Sequence, residues 1–484
     1  MAYCGYVTRL KNVRKHSNAD RLQLADCFGN TVIVSLDYSE GQLGVYFPVD
    51  GQLSEEFCKV NDLVRRKDEN GNSCGGYLDP EKRNIKAMKL RGEKADGLFL
   101  PLTSLANFTT VSDLKEGDTI TVLNGVEICK KYIPKHKTAG VWHGGSGKKV
   151  RANHAPTFYE HVDTQQLAYN LNQFKAGDVI ELTLKMHGTS GRTGYLPLRK
   201  QKKRTLWQKL TRKPGDIYYE YDYVTGTRRV VLDETHDGGF YSDNEFRHAM
   251  AKKFFGKLRK GEVVYYEIVG FVNAQTPIMA SVKNSKISDK AFTKQYGEET
   301  VFSYGCDPNG EWEETQYSAA PDVLDFDKTI APRCEVYVYR MTQVNEDGDV
   351  VEMSPEQMRQ RCDQMGVKYV PVFEKFIIPE MEVTYEQITV AENGILETKP
   401  IECQNYVNPG EYVLRKVEQY FDGPDPIGKT HIREGVVARI VNRPGIAVYK
   451  HKNFSFKVLE GIAKDTADAP DMEEAQDEMP TEAN

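Results

Sequence analysis

Along the first 129 residues, apolar side chains come in short runs broken by turn residues. Runs at 31–36, 43–49, 84–90, 97–102 and 118–123 read as strands with little helical spacing between them, which predicts a small β-barrel. From Pro156 the pattern changes. The segment DTQQLAYNLNQF, starting at Asp163, opens on a capping residue and spaces its apolar positions as a helix does, and the run 179–186 reads as a strand. Further helices are expected at 244–258, 355–365 and 411–421, so residues 156–463 read as an α+β domain. Between the two regions, residues 130–155 have no hydrophobic period and read as a linker. Residues 464–484 carry acids, alanines and prolines with no aromatic side chain, a composition that cannot bury enough surface to fold.

A length of 484 residues agrees with two or three domains, and 39% hydrophobic with 28% charged residues is an ordinary globular balance. The start of the chain lacks a basic stretch followed by an apolar run, and no apolar segment is long enough to span a bilayer, so a cytoplasmic protein that meets no membrane is expected. The nine cysteines form no C-x-x-C pair and read as free thiols. The net charge of -6 is weighted toward the acidic tail, and the remainder is nearly neutral with a basic stretch at 199–213, RKQKKRTLWQKLTRK. That stretch suits a phosphate backbone, or is simply a solvated lysine-rich surface. A five-stranded OB-type barrel fits the N-terminal runs and would offer a face to oligonucleotides, with a plain scaffold as the alternative. The run Gly144-Gly145-Ser146-Gly147-Lys148 is not a P-loop: the preceding glycine is misplaced, and Lys149 stands where a Ser or Thr should bind magnesium.

The most informative stretch is Lys185-Met186-His187-Gly188-Thr189-Ser190-Gly191-Arg192, at the end of a β-like run. A lysine followed by a small polar turn can present its amine to a phosphate while backbone amides approach closely. Lys185-x-His187-Gly188 resembles the first motif of covalent nucleotidyltransferases, the superfamily of ATP-dependent RNA and DNA ligases and capping enzymes. Further along, Gly226-Thr227-Arg228 resembles the arginine element, 264–270 (VYYEIVG) the acidic third motif and 336–341 (VYVYRM) the aromatic strand after it. Glu434-Gly435-Val436-Val437 resembles the fourth motif and Lys450-His451-Lys452 the fifth, with its paired lysines. The order of these elements covers nearly all of 156–463. K-x-H-G-T is typical of one branch of RNA ligases, and a barrel ahead of the adenylation domain is similar to the group with a fused N-terminal OB domain. Residues 84–92 and 96–102 also resemble that group's barrel.

The resemblance implies a nucleotidyltransferase (adenylation) domain of mixed antiparallel sheets and helices, with ATP and Mg2+ or Mn2+ as cofactors. Lys185 becomes the nucleophile that takes AMP. A free lysine titrates near ~10.4, so roughly one in a few thousand is neutral at pH 7; lowering that value by about three units costs about 4 kcal/mol. Burial and the cations Lys450 and Lys452, two apart on one strand face, would supply it and would neutralise the α-phosphate. Tyr337 or Tyr339 would stack on adenine, with the second favoured. Glu267 would hold a ribose hydroxyl or a metal-bound water, and Glu434 would orient the metal. His187, Gly188, Arg192 and Arg228 would bind the nucleotide or the RNA end. Two departures stand out: Leu184 replaces a frequent acid, and 161–164 (HVDT) lacks basic residues. The implied partners are RNA 3′-hydroxyl and 5′-phosphate ends, with an end-healing kinase or phosphatase working alongside. A DNA ligase, a capping enzyme and a non-catalytic RNA-binding protein are the rival readings.

Overall fold

The computed structural model describes all residues except 1–2, 50, 68–72, 133–154, 163, 204, 212–214, 229, 233–244, 288, 314, 318–327, 346, 393–394 and 466–484. Most of the expected linker, the glycine run 144–148 and the tail beyond Asp465 lie outside the described residues. The chain divides into two compact units, one of Met1–Lys137 with Phe454–Pro470 and one of Thr138–Asn453 with Asp471–Asn484. The break after Asn453 falls before the expected domain end at 463. Its cause is the helix Phe454–Asp465, which belongs to the first unit: Lys94 Nζ lies 5.2 Å from the Phe454 ring centre, and Lys457 pairs with Asp96.

In the first unit, strands β1 (Gly5–Arg9), β2 (Lys11–Lys15), β3 (Leu22–Cys27), β4 (Asn30–Ser35), β5 (Leu43–Phe47), β6 (Leu98–Pro101) and β7 (Thr119–Ile120) form two antiparallel sheets. Their orders are β6-β5-β1-β7 and β2-β3-β4. Val7, Val45 and Phe47 alternate inward and meet Leu53, Phe57 and Ile120 in one core. The expected OB-type barrel is met only as a β-rich unit: among the described residues its strands do not join in a single closed sheet. Part of the reason lies between β1 and β2. Leu10 N–H bonds to Gln42 O at 3.1 Å and Asn12 takes a left-handed φ of 51°, so one extended run becomes two strands that feed different sheets.

The second unit is built on two sheets, one whose inner and outer faces alternate along its strands and one whose central strands are buried along nearly their whole length. Its strands are β8 (Val179–Lys185), β9 (Thr189–Gln201), β10 (Ile217–Gly226), β11 (Glu262–Asn273), β12 (Cys334–Val344), β13 (Val372–Ile377), β14 (Gly435–Ile440) and β15 (Val448–Lys452). One sheet runs β15-β14-β8-β13, extended by Gln165–Gln166 beside β15; the other is centred on β10-β9-β11-β12. In the first of these, Ile180, Leu182, Val436, Ala438 and Ile440 point to a core closed by Val413 and Val417 of the helix Pro409–Glu418. The residues between them point the other way, and that face carries the site.

Helices formed where capping chemistry is explicit. Pro355–Met365 starts at a Ser354/Gln357 capping box with Pro355 in the first turn and ends at Gly366, whose φ of 65° suits glycine, so its bounds match the expected 355–365. The helix expected from Asp163 is a correction. The chain there makes two 3₁₀ turns, Leu167–Tyr169 and Leu171–Gln173, separated by Asn170 at φ -127°. Asn170 Nδ2 bonds to Gln166 O at 2.6 Å, a local side-chain bond that competes with helix continuation. No helix among the described residues is long and apolar enough to cross a membrane.

Candidate active site

Three adjacent strands bring two of the expected lysines to one row, with Lys450 registered against Val437. Lys185 on β8 is in register with Gly435 on β14, and Gly435 with Lys452 on β15. Glu434 immediately precedes Gly435, so its carboxylate arrives between the two amines. Lys185 Nζ lies 2.7 Å and Lys452 Nζ 3.1 Å from the same oxygen, Glu434 Oε1. The Lys185 and Lys452 side chains are 11% and 12% exposed and Glu434 is fully buried, so this triad is largely removed from water. One carboxylate between two ammonium groups leaves the cluster net positive.

The polar face of this sheet lines a cavity of about 120 Å³. Glu181, Thr183 and Lys185 of β8, Val437 and Arg439 of β14, and Val448 and Lys450 of β15 contribute, each two residues from the next along its strand. Ser190 of β9, Glu267 of β11, Tyr339 and Arg340 of β12, and Pro355, Met358 and Arg359 of the helix Pro355–Met365 line it from the second sheet and that helix. Arg228 is also a lining residue. It is held in a tight turn in which Thr227 N–H bonds to Val230 O at 2.8 Å, between strands paired at Gly226 and Val231.

The two tyrosines separate. Tyr339 lines the cavity, whereas Tyr337 is buried and does not. Tyr265 pairs with Arg340 and Tyr266 with Val338, so Tyr339 is the extra residue of a β-bulge, and consecutive residues 339 and 340 both reach the cavity. His161 packs edge-on to Tyr339, centroids 5.1 Å apart at 64°, and its Nδ1 is 3.3 Å from Arg340 Nη1. Burial pushes the Tyr339 hydroxyl well above the usual tyrosine range, so it stays neutral.

Besides Tyr337, five expected residues do not line the cavity: Glu434 and Lys452 of the triad, and Arg192, His187 and Gly188. Arg192 is buried, donates to Phe158 O at 3.1 Å and stacks on the Phe158 ring at 4.3 Å; burial lowers its pKa below the usual guanidinium value. It braces the second sheet and is not among the lining residues. His187 is buried with its ring against Phe302 at 4.7 Å, and its backbone N–H donates to the Tyr304 hydroxyl at 2.7 Å. Gly188 allows the close crossing of strands: a Cβ there would sit 2.4 Å from Ile268 O. His187 and Gly188 therefore shape the turn after Lys185, and Arg247 holds it from outside, donating to Thr189 Oγ1 at 2.6 Å and Ser190 O at 3.1 Å.

Further charged residues were not singled out from sequence. Arg359 forms a fork with Glu181, both bonds 2.9 Å, which raises the arginine's pKa through those hydrogen bonds. Arg340 pairs with Glu352, and Arg439 donates to Met353 O at 3.0 Å. The alternation 435, 437, 439 was the available signal for Arg439. The Arg359–Glu181 pair, 178 residues apart, left none. Six cations (Lys185, Arg228, Arg340, Arg359, Arg439 and Lys450) line the cavity against two acids, Glu181 and Glu267. Such a site suits a polyanion. Of the two acids expected to hold a metal, Glu267 lines the cavity with Ser190 Oγ 3.4 Å from its Oε2, while Glu434 already answers two ammonium groups. Glu434 also has a ring nitrogen of His187 within 4.8 Å of its carboxylate, so each of the two acids has a second polar group beside it.

No protein-family model matches the chain, and no curated protein matches it. Among solved structures, its fold is similar to that of Naegleria gruberi RNA ligase. A variant of that ligase with AMP and manganese aligns at a TM-score of 0.51 and 14% identity over 94% of this chain and 98% of the other. An apo variant gives 0.51 at 15% identity over the same shares. A variant with ATP and manganese gives 0.50 at 14% identity, again over 94% and 98%. At this identity the likeness is one of architecture: over nearly its whole length the chain has the fold of an RNA ligase.

Proposed function

We propose that this chain is an ATP-dependent RNA ligase that carries AMP on Lys185 and joins a 3′-hydroxyl to a 5′-phosphate. The observation that carries the reading is the Lys185–Glu434–Lys452 triad at the edge of a cation-lined cavity. Solved structures of similar fold, described as an RNA ligase with ATP or AMP and manganese, agree with it.

In the first step Lys185 Nζ attacks the α-phosphorus of ATP, a P–N bond forms, and the bond to the β-phosphate oxygen breaks to release pyrophosphate. The attacking amine must be neutral. Lys452 at the shared carboxylate and Lys450 in the cavity wall favour loss of its proton, and Glu434 aims it. Arg228, Arg340, Arg359 and Arg439 neutralise the phosphate oxygens, and Tyr339, steadied by His161, takes the adenine face. Glu267 is the acid that would hold a divalent cation, Mg2+ or Mn2+, whose charge would add to that of the arginines. AMP then passes to the RNA 5′-phosphate as the P–N bond breaks. Attack by the 3′-hydroxyl forms the phosphodiester and releases AMP. In this reading the N-terminal unit is an OB-type module that grips RNA, the protein works in the cytoplasm, and an end-healing enzyme prepares its ends.

The test is incubation with α-labelled ATP and magnesium followed by a denaturing gel. Label should appear on the protein and be absent from Lys185→Ala. Label retained in that variant sinks the mechanism.

A further inference from the structure

The β9–β10 ladder carries a row of aromatic rings on the face that the cavity does not use. Registered residues of an antiparallel pair point to one side, and successive residues alternate. Tyr195 with Tyr223, Pro197 with Tyr221, and Arg199 with Tyr219 therefore share a face. The intervening residues take the other: Leu196 and Leu198 enter the core, and Lys200 is paired with Glu220 and Asp222, each at 2.9 Å. The local acids are thus drawn away from the rings.

On the aromatic face, Tyr195 stacks on Tyr223 at 4.8 Å and 29°, and Tyr223 on Phe255 at 4.4 Å and 22°. Tyr221 lies 5.7 Å from Tyr195, and Lys260 Nζ is 4.9 Å from the Tyr221 ring centre. Tyr219 is 60% exposed and Phe255 41%. A contiguous row of solvent-facing rings marks an interaction surface. Because Tyr195, Tyr221, Tyr223 and Phe255 are already packed on one another, with Tyr219 next in the row, ordering these rings on a partner costs little entropy.

The partner must offer flat faces at intervals together with negative charge. Residues two apart on a strand are spaced about 6.7 Å, which presents ring after ring to successive bases of an unpaired strand. A duplex hides its base faces in the stack. We propose that this face is a stacking platform for single-stranded RNA, with bases on Tyr219 and Tyr221 and phosphates near Arg199 and Lys260. The choice of RNA rests on the ligase reading; the platform itself rests on the rings and their charge.

The test uses the full chain and a fluorescein-labelled single-stranded RNA of about 12 nucleotides, with hydroxyls at both ends so that it cannot be adenylated. Anisotropy is read at several salt concentrations. Tyr219→Ala should raise Kd about tenfold and Tyr219→Ala with Tyr221→Ala about 100-fold, while Tyr219→Phe stays near wild type. Lys260→Gln should reduce the salt slope by about 0.7. Tyr218→Ala, on the opposite face, should leave Kd unchanged. An unchanged Kd in Tyr219→Ala, an equal loss in Tyr218→Ala, or duplex RNA bound as tightly as the single strand overturns the platform. AMP uptake by Tyr219→Ala should match wild type. A wild-type protein that binds RNA through these rings yet takes up no AMP sinks the ligase reading and leaves the platform standing.

Discussion

The cavity and the aromatic face of β9–β10 belong to one unit and treat charge in opposite ways. In and beside the cavity, cations are tied to buried or partly buried carboxylates: Lys185 and Lys452 to Glu434, Arg359 to Glu181, Arg340 to Glu352. On the aromatic face, rings lead and Lys260 sits over one of them near solvent. A buried charge is costly unless paired, and that pairing fixes its position, which suits a step in which atoms must be placed to a fraction of an ångström. An aromatic ring at the surface offers a flat face that accepts any base. Placement and grip are thus assigned to different surfaces, and substitutions should separate them.

The widest separation comes from Lys185→Ala. Label transfer from ATP should fall at least about 10³-fold while RNA anisotropy stays at the wild-type value, and parallel loss of both would break the division. Glu434→Gln comes next. It leaves two largely buried ammonium groups without their carboxylate, at a cost of about 3–5 kcal/mol, read as a lower urea midpoint together with weak labelling. Arg359→Ala strips a bidentate partner from the nearly buried Glu181 and should cost about 3 kcal/mol with a raised KM for ATP. A variant as stable as wild type would mean that the fork is not formed in solution. Tyr339→Ala and Tyr337→Ala refine the picture: the first should weaken ATP binding about tenfold, the second should lower stability with little change in KM. The smallest effect is Tyr219→Ala, with unfolding free energy within about 0.5 kcal/mol of wild type and label transfer unchanged.

Much of the site was legible because strand alternation is a strong constraint. Lys450 and Lys452 at 450 and 452 had to share a face, and they do, flanking Val437 and Gly435 on the next strand. The helix at 355–365 was legible from its caps. Other features were not. Arg192 reads like a phosphate ligand because sequence spacing cannot distinguish a guanidinium aimed at a cleft from one packed on Phe158, a residue 34 positions earlier. The bulge that sends Tyr339 into the cavity depends on pairing with β11 and leaves no mark in the order of residues. Among the N-terminal strands, the irregularity at Asn12 near the start of β2 bends the chain through a backbone angle that asparagine tolerates but does not announce.

The row Lys185, Gly435, Lys452 runs across three hydrogen-bonded strands, so the proposed nucleophile is carried on a rung of the ladder itself. Sliding β14 by one residue would turn Val437 and Arg439 into the core and carry Glu434 out of reach of both amines. Under the proposed mechanism, AMP uptake would then be a proofreader of strand pairing. The amplitude of a single-turnover burst would count the correctly paired molecules in a preparation, a tally that bulk spectroscopy of a β-rich protein does not give.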